Sequence, residues 1–574
     1  MNAITDIKAV QSAVDHPPTG PSPRQVCRAI VDQLLIQGVE RVACVPGESY
    51  LPVLDALYDT PIQTVLCRQE GGAAMMADAW GRASGAPGVC FVTRGPGAAN
   101  ALVGVHIAEQ DQNPMVLFVG QVNRQVRRRH AWQEIDLFQL YGGIAKAVVE
   151  IDEPDRAGEV VARAFQLAMS GRPGPVVVGL PQDVLHLPCR GPDGPKAAPP
   201  VVTPAADDLD RLRSLLLAAR RPFVIVGGSR WDAAARTAIH RFVEAFDLPV
   251  ATSYRRGALI DARHPNYAGD LGLGANPKLV RRVKDADLVL LLGGRLGEVA
   301  SQTYSLFPQP DPGVPFVHIH ADPDELGRLY RPTLGLTATP AGFAPALAAL
   351  QPPAVIAWTG QAAEAHADYL AWTEVATPQP GPVNLGEIMV WLRGRLEPET
   401  IVCNGAGGYA AWLHRFYRFR DHNAHIAPAV ATMGYGPPAA VAMQLMFPGR
   451  RVISVAGDGD FLMNGQEFST QVQHGLPIVN IVVDNESYGS VRFSQERAYP
   501  GRVIGTDLKS PDFAALARAY GGFGVTVERT ADFPAAFEAA AASGAPAIVH
   551  VKVSVECLTP NLDLATVRRQ GGER

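Results

Sequence analysis

Short apolar runs recur along the chain, and between them apolar positions return every three or four residues. In the first third the runs are VACV, GVCFVT, MVLFVG and PVVVGLP, with amphipathic stretches at 24–37 and 70–83. Runs that are apolar throughout belong to strands covered on both faces, so this pattern predicts a parallel sheet with helices on either side. A Pro/Gly-rich stretch, LPCRGPDGPKAAPPVVTP at 187–204, interrupts it and predicts a linker. The alternation resumes in FVIVGG, LPVATS, DLVLLLGG and FVHIHADPDELG, meets a soft boundary across 351–384, and returns in TIVCNG, RVISVAGDGD, LPIVNIVVDN and APAIVHVKV. The prediction is an α/β protein of three doubly wound parallel-sheet domains, at 23–188, 204–350 and 383–556, behind a flexible segment over 1–22.

Composition narrows the partners more than the fold. The 574 residues are 47% apolar and 19% charged, with a net charge of −5, which gives no electrostatic footprint for nucleic acid. The cluster Arg127–Arg129 reads as a solvated turn. Seven dispersed cysteines form no CxxC pair and no zinc spacing, so reduced thiols and a cytoplasmic location are expected. The first residues lack the basic stretch and apolar core of a signal peptide, and runs such as LVLLL are too short to span a bilayer.

The candidate chemistry gathers around GDGDFLMNG at 457–465. The apolar run before it delivers Asp458 to the carboxyl edge of a buried sheet, where open α/β folds bind ligands. Asn464 with Glu467 three residues on predicts a capping box, and a helix whose amides face the turn over Gly457–Asp460, an anion site. The run PIVNIVVDN returns Asp484 and Asn485 to the same edge. Asp458, Asn485 and the Ser487 carbonyl then offer three oxygen ligands to Mg²⁺ or Ca²⁺. By itself Gly-Asp-Gly-Asp is an ordinary strand-to-helix turn, and the Asp-Asn pair one strand later is what favours a metal.

The segment GDGDFLMNGQEFSTQVQHGLPIVNIVVDNESYG resembles the diphosphate and metal motif of thiamine diphosphate (ThDP) enzymes, in their acetolactate synthase-like branch. The stretches RQEGGAAMMADAWGRASG, TRGPGAANALVGVHIA, SGRPGPVVVGLPQDV, NGAGGYAAW and ATMGYGPPAAVAMQ carry the same resemblance, in family order across all three blocks. It implies ThDP and Mg²⁺ as cofactors. It implies that Glu70 faces N1′ of the aminopyrimidine as the catalytic acid, and that Met433 and the Ala431 carbonyl hold the bent cofactor. Gly407, Gly408 and Tyr409, with Gly457, Asp458, Gly459, Asp460 and Asn485, would meet the diphosphate and metal, although relatives usually carry Gln-His at 408 and 409. Asp460 stands where many relatives have a small hydroxyl residue, and a second carboxylate there has to turn away from phosphate. Because the family builds its site from two chains, a homodimer or homotetramer follows, with Glu70 and Asp458 of one site on different subunits.

For the substrate the resemblance points to Glu48 and Ser49 in VPGESYLP, to Gln121, and to Trp132 and Gln133, with a surface-turn role for Glu48 as the alternative. Gln182 stands where biosynthetic acetolactate synthases usually have Lys, and Ser494 where they have Trp, so another carboligase or a decarboxylase becomes more plausible. FAD in the central domain stays open: Arg295 and FVHIHADPDELG resemble parts of a flavin-binding domain, while LGLGA at 271–275 lacks the usual histidine. The reaction implied is decarboxylation of a pyruvate-like 2-oxo acid and ligation of the enamine to an aldehyde or second 2-oxo acid. The alternatives are a simple 2-oxo acid decarboxylase and a catalytically silent ThDP-binding subunit.

Overall fold

Three six-stranded sheets, every adjacent pair parallel, account for the architecture of the computed structural model, which describes residues 24–572. The predicted flexible segment 1–22 lies outside the described residues. In space the first sheet runs Gln63–Leu66, Arg41–Cys44, Gly88–Val92, Met115–Gln121, Pro175–Pro181, Ala147–Glu150. The third runs His425–Ile426, Ile401–Asn404, Val452–Gly457, Val479–Asp484, Ala547–Lys552, Phe523–Val527. Numbered in chain order, both have the same arrangement, second, first, third, fourth, sixth, fifth. The central sheet differs: Leu334–Thr337, Phe316–His320, Leu288–Leu292, Pro222–Val226, Val250–Ser253, Tyr267–Leu271, the open order of dinucleotide-binding folds.

The apolar runs named above are the four inner strands of each sheet, fully buried along most of their length. Helices cover both faces, so each sheet has a core above and below it. One core joins two domains. The helix Glu70–Ser84 packs on Gly436–Met446, with the Trp80 indole donating to the Ala442 carbonyl at 2.9 Å and the Tyr435 hydroxyl to Asp78 at 2.7 Å.

The predicted linker has no regular structure over 192–205, yet its start is tied down: Gln33 exchanges hydrogen bonds with both the amide and the carbonyl of Gly194. Across 351–384 stands the helix Gln361–Glu374, whose Tyr369, with Trp358 just before the helix, joins the central core.

The predicted capping box at Asn464 does not form. Helix begins at Asp458 directly after the strand, ends at Asn464, passes through a tight turn over Gly465–Glu467 and restarts at Phe468. Glu467 reaches instead to the first domain, accepting from the Arg68 amide at 2.8 Å and the Gln69 amide at 3.1 Å, while Asn464 donates to the Gly434 carbonyl at 3.1 Å. Two unpaired amides just before Glu70 offered that buried carboxylate better partners than its own turn.

Candidate active site

Parallel register sets the third-domain site. Gly457 lies opposite Val483 on neighbouring strands, so the residues that follow, Asp458 and Asp484, emerge side by side. They line or adjoin a cavity of about 200 Å³ whose wall includes Gly407, Gly408, Tyr409, Ala431, Met433, Gly457, Asp458, Gly459, Asp460, Asn485 and Ser487. All the third-domain residues singled out for cofactor and metal are thus brought to one place, while Ser494, singled out for the substrate, lines the adjoining cavity of about 720 Å³ between the central and third domains. Ala431 holds a left-handed backbone, φ 58°, which turns the chain sharply before Met433.

Burial pushes the Asp458 carboxyl up to about 6, aided by neighbouring Asp484 and opposed by the Gly459 amide and by Ser510, whose hydroxyl donates at 3.0 Å. Burial would raise Asp484 as well, but His550 at 2.8 Å and the Glu486 amide at 3.0 Å outweigh it and hold that carboxyl below its ordinary value. Two adjacent acids with no Lys or Arg between them suit a cation, and the oxygen-only set of Asp458, the Asn485 amide and the Ser487 carbonyl suits a hard one such as Mg²⁺. Among the described residues no group of three or more His, Cys, Asp or Glu is placed to hold a metal by itself, so the Asn485 amide and the Ser487 carbonyl would have to complete such a set.

Asp460 stands in the cavity wall with its carboxylate engaged by neighbouring loops. Its carboxylate accepts from the Tyr409 hydroxyl at 2.6 Å and from the Gly434 amide at 2.6 Å, and burial raises it to about 6 against those two bonds. It ties the Gly407–Tyr409 loop to the loop of Met433. A side chain at Gly405 would place Cβ 2.3 Å from the Asp460 carboxylate, so glycine is required for this close approach.

The first-domain residues form a second group. Glu70 opens the helix Glu70–Ser84, which is capped by the Gln69 side chain accepting from the Gly72 amide at 3.0 Å, so Glu70 itself is not the cap. Its Oε2 accepts from Asn100 at 2.9 Å, and its Oε1 faces Gly97, where a Cβ would lie 3.5 Å away. Ser49 is buried and shares a hydrogen bond with Thr93 at 2.9 Å. Trp132 is 68% exposed, its ring 5.3 Å from the Arg94 guanidinium, and the Gln133 carbonyl abuts Gly95. Glu48 is exposed at the start of a tight turn, its carbonyl accepting from the Leu51 amide and its carboxylate without a hydrogen-bond partner among the described residues. Gln121 spends its amide on backbone, the Ile135 carbonyl at 2.7 Å and the Val122 amide at 2.9 Å, and so braces the 122–135 loop.

No residue before Gln379 lines the third-domain cavity. Glu70 is therefore not among the residues that wall this cavity. Sequence reasoning passed over Thr93, Arg94 and Asn100, although all three stand in TRGPGAAN, and it named Asp484 without seeing its partner His550, which lies on the next strand of the sheet but 66 positions along the chain.

Comparison with known proteins agrees with this geometry. Family models match residues 24–140 as the thiamine pyrophosphate enzyme N-terminal TPP binding domain, 209–350 as the central domain and 405–551 as the C-terminal TPP binding domain. The chain is 31% identical over 528 residues to the acetolactate synthase isozyme 2 large subunit of Escherichia coli (strain K12), covering 91% of this chain and 94% of that one. It is 31% identical over 547 residues to the acetolactate synthase large subunit of Parasynechococcus marenigrum (strain WH8102), covering 92% and 87%. A probable acetolactate synthase large subunit of Methanocaldococcus jannaschii is 30% identical over 512 residues, covering 86% of each. With all three domains matched in order, the chain belongs to the thiamine pyrophosphate enzymes, in their acetolactate synthase-like branch.

Proposed function

We propose that this protein is a ThDP- and Mg²⁺-dependent carboligase that decarboxylates a pyruvate-like 2-oxo acid and joins the remaining acyl unit to a carbonyl acceptor. The observation that carries the proposal is the third-domain cavity, where Gly407, Met433, Asp458 and Asn485 meet at the carboxyl edge of one sheet. Asp458, the Asn485 amide oxygen and the Ser487 carbonyl would hold Mg²⁺, with Gly457, Gly459 and the Gly407–Tyr409 loop around the diphosphate. Bound there, the cofactor would supply a nucleophilic carbon and a sink for the electron pair released on decarboxylation. Glu70 is oriented through Oε2 by Asn100 and keeps Oε1 for exchanging a proton with a ring nitrogen. Met433 and Ala431 shape the apolar wall that keeps water from the reacting carbon. Domain limits of 23–188, 204–350 and 383–556 assign each sheet to one unit.

The absence of Glu70 from that cavity supports a site completed by a second copy of the chain, in a homodimer or homotetramer. Exposed Leu462 and Met463 beside Asp458 offer apolar surface for that contact. A cavity of about 640 Å³ at the carboxyl ends of the central strands, with Arg256, Arg295 and Arg328 on its wall, suits a nucleotide, and FAD is the candidate. A yellow preparation with flavin absorbance tests that. Seven free, buried cysteines fit the cytoplasm, and no helix among the described residues is long and apolar enough to cross a membrane.

The experiment is incubation of the ThDP- and Mg²⁺-loaded protein with a panel of 2-oxo acids, scoring CO₂ and products. Acetolactate or another ligated product is expected from pyruvate. Acetaldehyde alone would make the protein a decarboxylase, and no CO₂ from any 2-oxo acid would sink the catalytic reading.

A further inference from the structure

We propose that Arg94 receives the carboxylate of a 2-oxo acid acceptor and thereby selects such acceptors over plain aldehydes; this rests on the carboligase reading above. Arg94 follows the inner strand Gly88–Val92 and precedes the helix Gly95–Asp111. Its neighbours are the first-domain site residues themselves. Thr93 beside it bonds Ser49, Gly97 three residues on faces Glu70, and Gly95 abuts Gln133.

The guanidinium is fixed but unpaired. One face lies 5.3 Å from the Trp132 ring, and Nη1 donates to the Gln182 amide oxygen at 3.3 Å, a neutral acceptor. Nε is buried without a hydrogen-bond partner, Nη2 has none among the described residues, and Arg94 forms no ion pair there. Arg124, by contrast, holds Asp183, the neighbour of Gln182, at 2.9 Å. A positioned guanidinium without a counter-ion is a carboxylate receptor of the planar kind that arginine serves best.

Which carboxylate it serves follows from the reaction. The donor loses its carboxylate as neutral CO₂, and a cation bound to that group would stabilise the ground state more than the transition state. The acceptor keeps its carboxylate charged through ligation, so a fixed cation assists it at every stage.

The test gives the holoenzyme pyruvate as donor in the presence of both acceptors, a 2-oxo acid and acetaldehyde, and reads the ratio of acetolactate-type to acetoin-type product beside total CO₂. Arg94→Gln should lower that ratio by roughly 10- to 100-fold, the scale of one charge-assisted hydrogen bond, with CO₂ release changed by only a few-fold. Arg94→Lys should keep part of the ratio, since an ammonium retains the charge but not the planar fork. Adding Gln182→Lys to Arg94→Gln returns a cation to the neighbouring position and should recover part of it, which a purely structural arginine would not allow. An unchanged ratio in Arg94→Gln with intact CO₂ release overturns the proposal. If the wild-type protein releases no CO₂, calorimetric binding of oxamate to the ThDP-loaded protein decides separately. Weaker binding in Arg94→Gln, with Arg94→Lys intermediate, supports Arg94 although the carboligase reading has failed, and equal binding in all three overturns it.

Discussion

The first and third sheets have the same strand order and opposite chemistry at their carboxyl edges. After the third strand of its sheet, the first domain places Thr93 and Arg94 and the third domain places Asp458. After the first strand stand the Glu48–Tyr50 turn in one and the Gly405–Tyr409 loop in the other. At the end of the fourth, Gln121 braces a loop in the first domain, while in the third Asp484 meets His550 and Asn485 lines the cavity. The shared topology sets where these residues emerge, and the loop residues decide that one edge carries Arg94 and the other the adjacent acids Asp458 and Asp484. Each half is incomplete alone, as expected if two chains meet to join them.

The comparison breaks most completely at Asp458. Asp458→Asn should lose at least about a hundredfold in Mg²⁺-supported ThDP affinity, since a metal carboxylate is exchanged for a neutral amide while the fold keeps its shape. A ThDP titration with and without Mg²⁺ reads this directly, and equal affinities would move the metal elsewhere.

Glu70→Ala tests the other half. Turnover should fall by about a hundredfold or more while ThDP still binds, the scale for losing a proton-exchange partner. Mixing Glu70→Ala with Asp458→Ala chains should return roughly a quarter of wild-type activity, because a mixed dimer keeps one intact site. Activity that stays at the level of the separate variants would place both residues of a site on one chain.

How much of this was legible in the sequence divides along the same physical line. The quoted apolar runs are the inner strands, and the strands they omit are the two edges of each sheet, such as Gln63–Leu66, Ala147–Glu150 and Phe523–Val527. Edge strands are half exposed and mixed in polarity, so their period is lost among loops. In the site, Asp458 and Asn485 were readable because a strand delivers each to the same edge. The Tyr409–Asp460 bond and the reach of Glu467 to Arg68 were not, since both join residues brought together only by tertiary packing.

A smaller effect is expected at the bond between loops. Tyr409→Phe removes the hydroxyl donor from buried Asp460 and leaves backbone amides, chiefly that of Gly434 at 2.6 Å. The cost of an unsatisfied buried acceptor is about 1–3 kcal/mol, read as a lower melting temperature together with weaker ThDP binding. A drop in melting temperature with ThDP affinity unchanged would make the pair a fold element only.

The mildest change for activity lies where the two domains pack within one chain. Asp78 is buried between the Tyr435 hydroxyl at 2.7 Å and the Asn113 amide at 2.9 Å, and burial, reinforced by the charge of Asp111, raises its carboxyl to about 7. The folded state therefore binds this proton more tightly than the unfolded chain, whose Asp titrates near 3.8. The stability that the proton contributes is complete below that lower value and is lost as pH rises to about 7, above which the loss is constant. Asp78→Asn keeps the shape without the charge, so its stability relative to wild type should climb across that window, by an amount on the order of a few kcal/mol, and then level off. Denaturant unfolding of both proteins at closely spaced pH values checks the sign. A difference that stays flat from pH 4 to 7 would mean that Asp78 keeps its charge in the fold, balanced by Arg82 across Asp111.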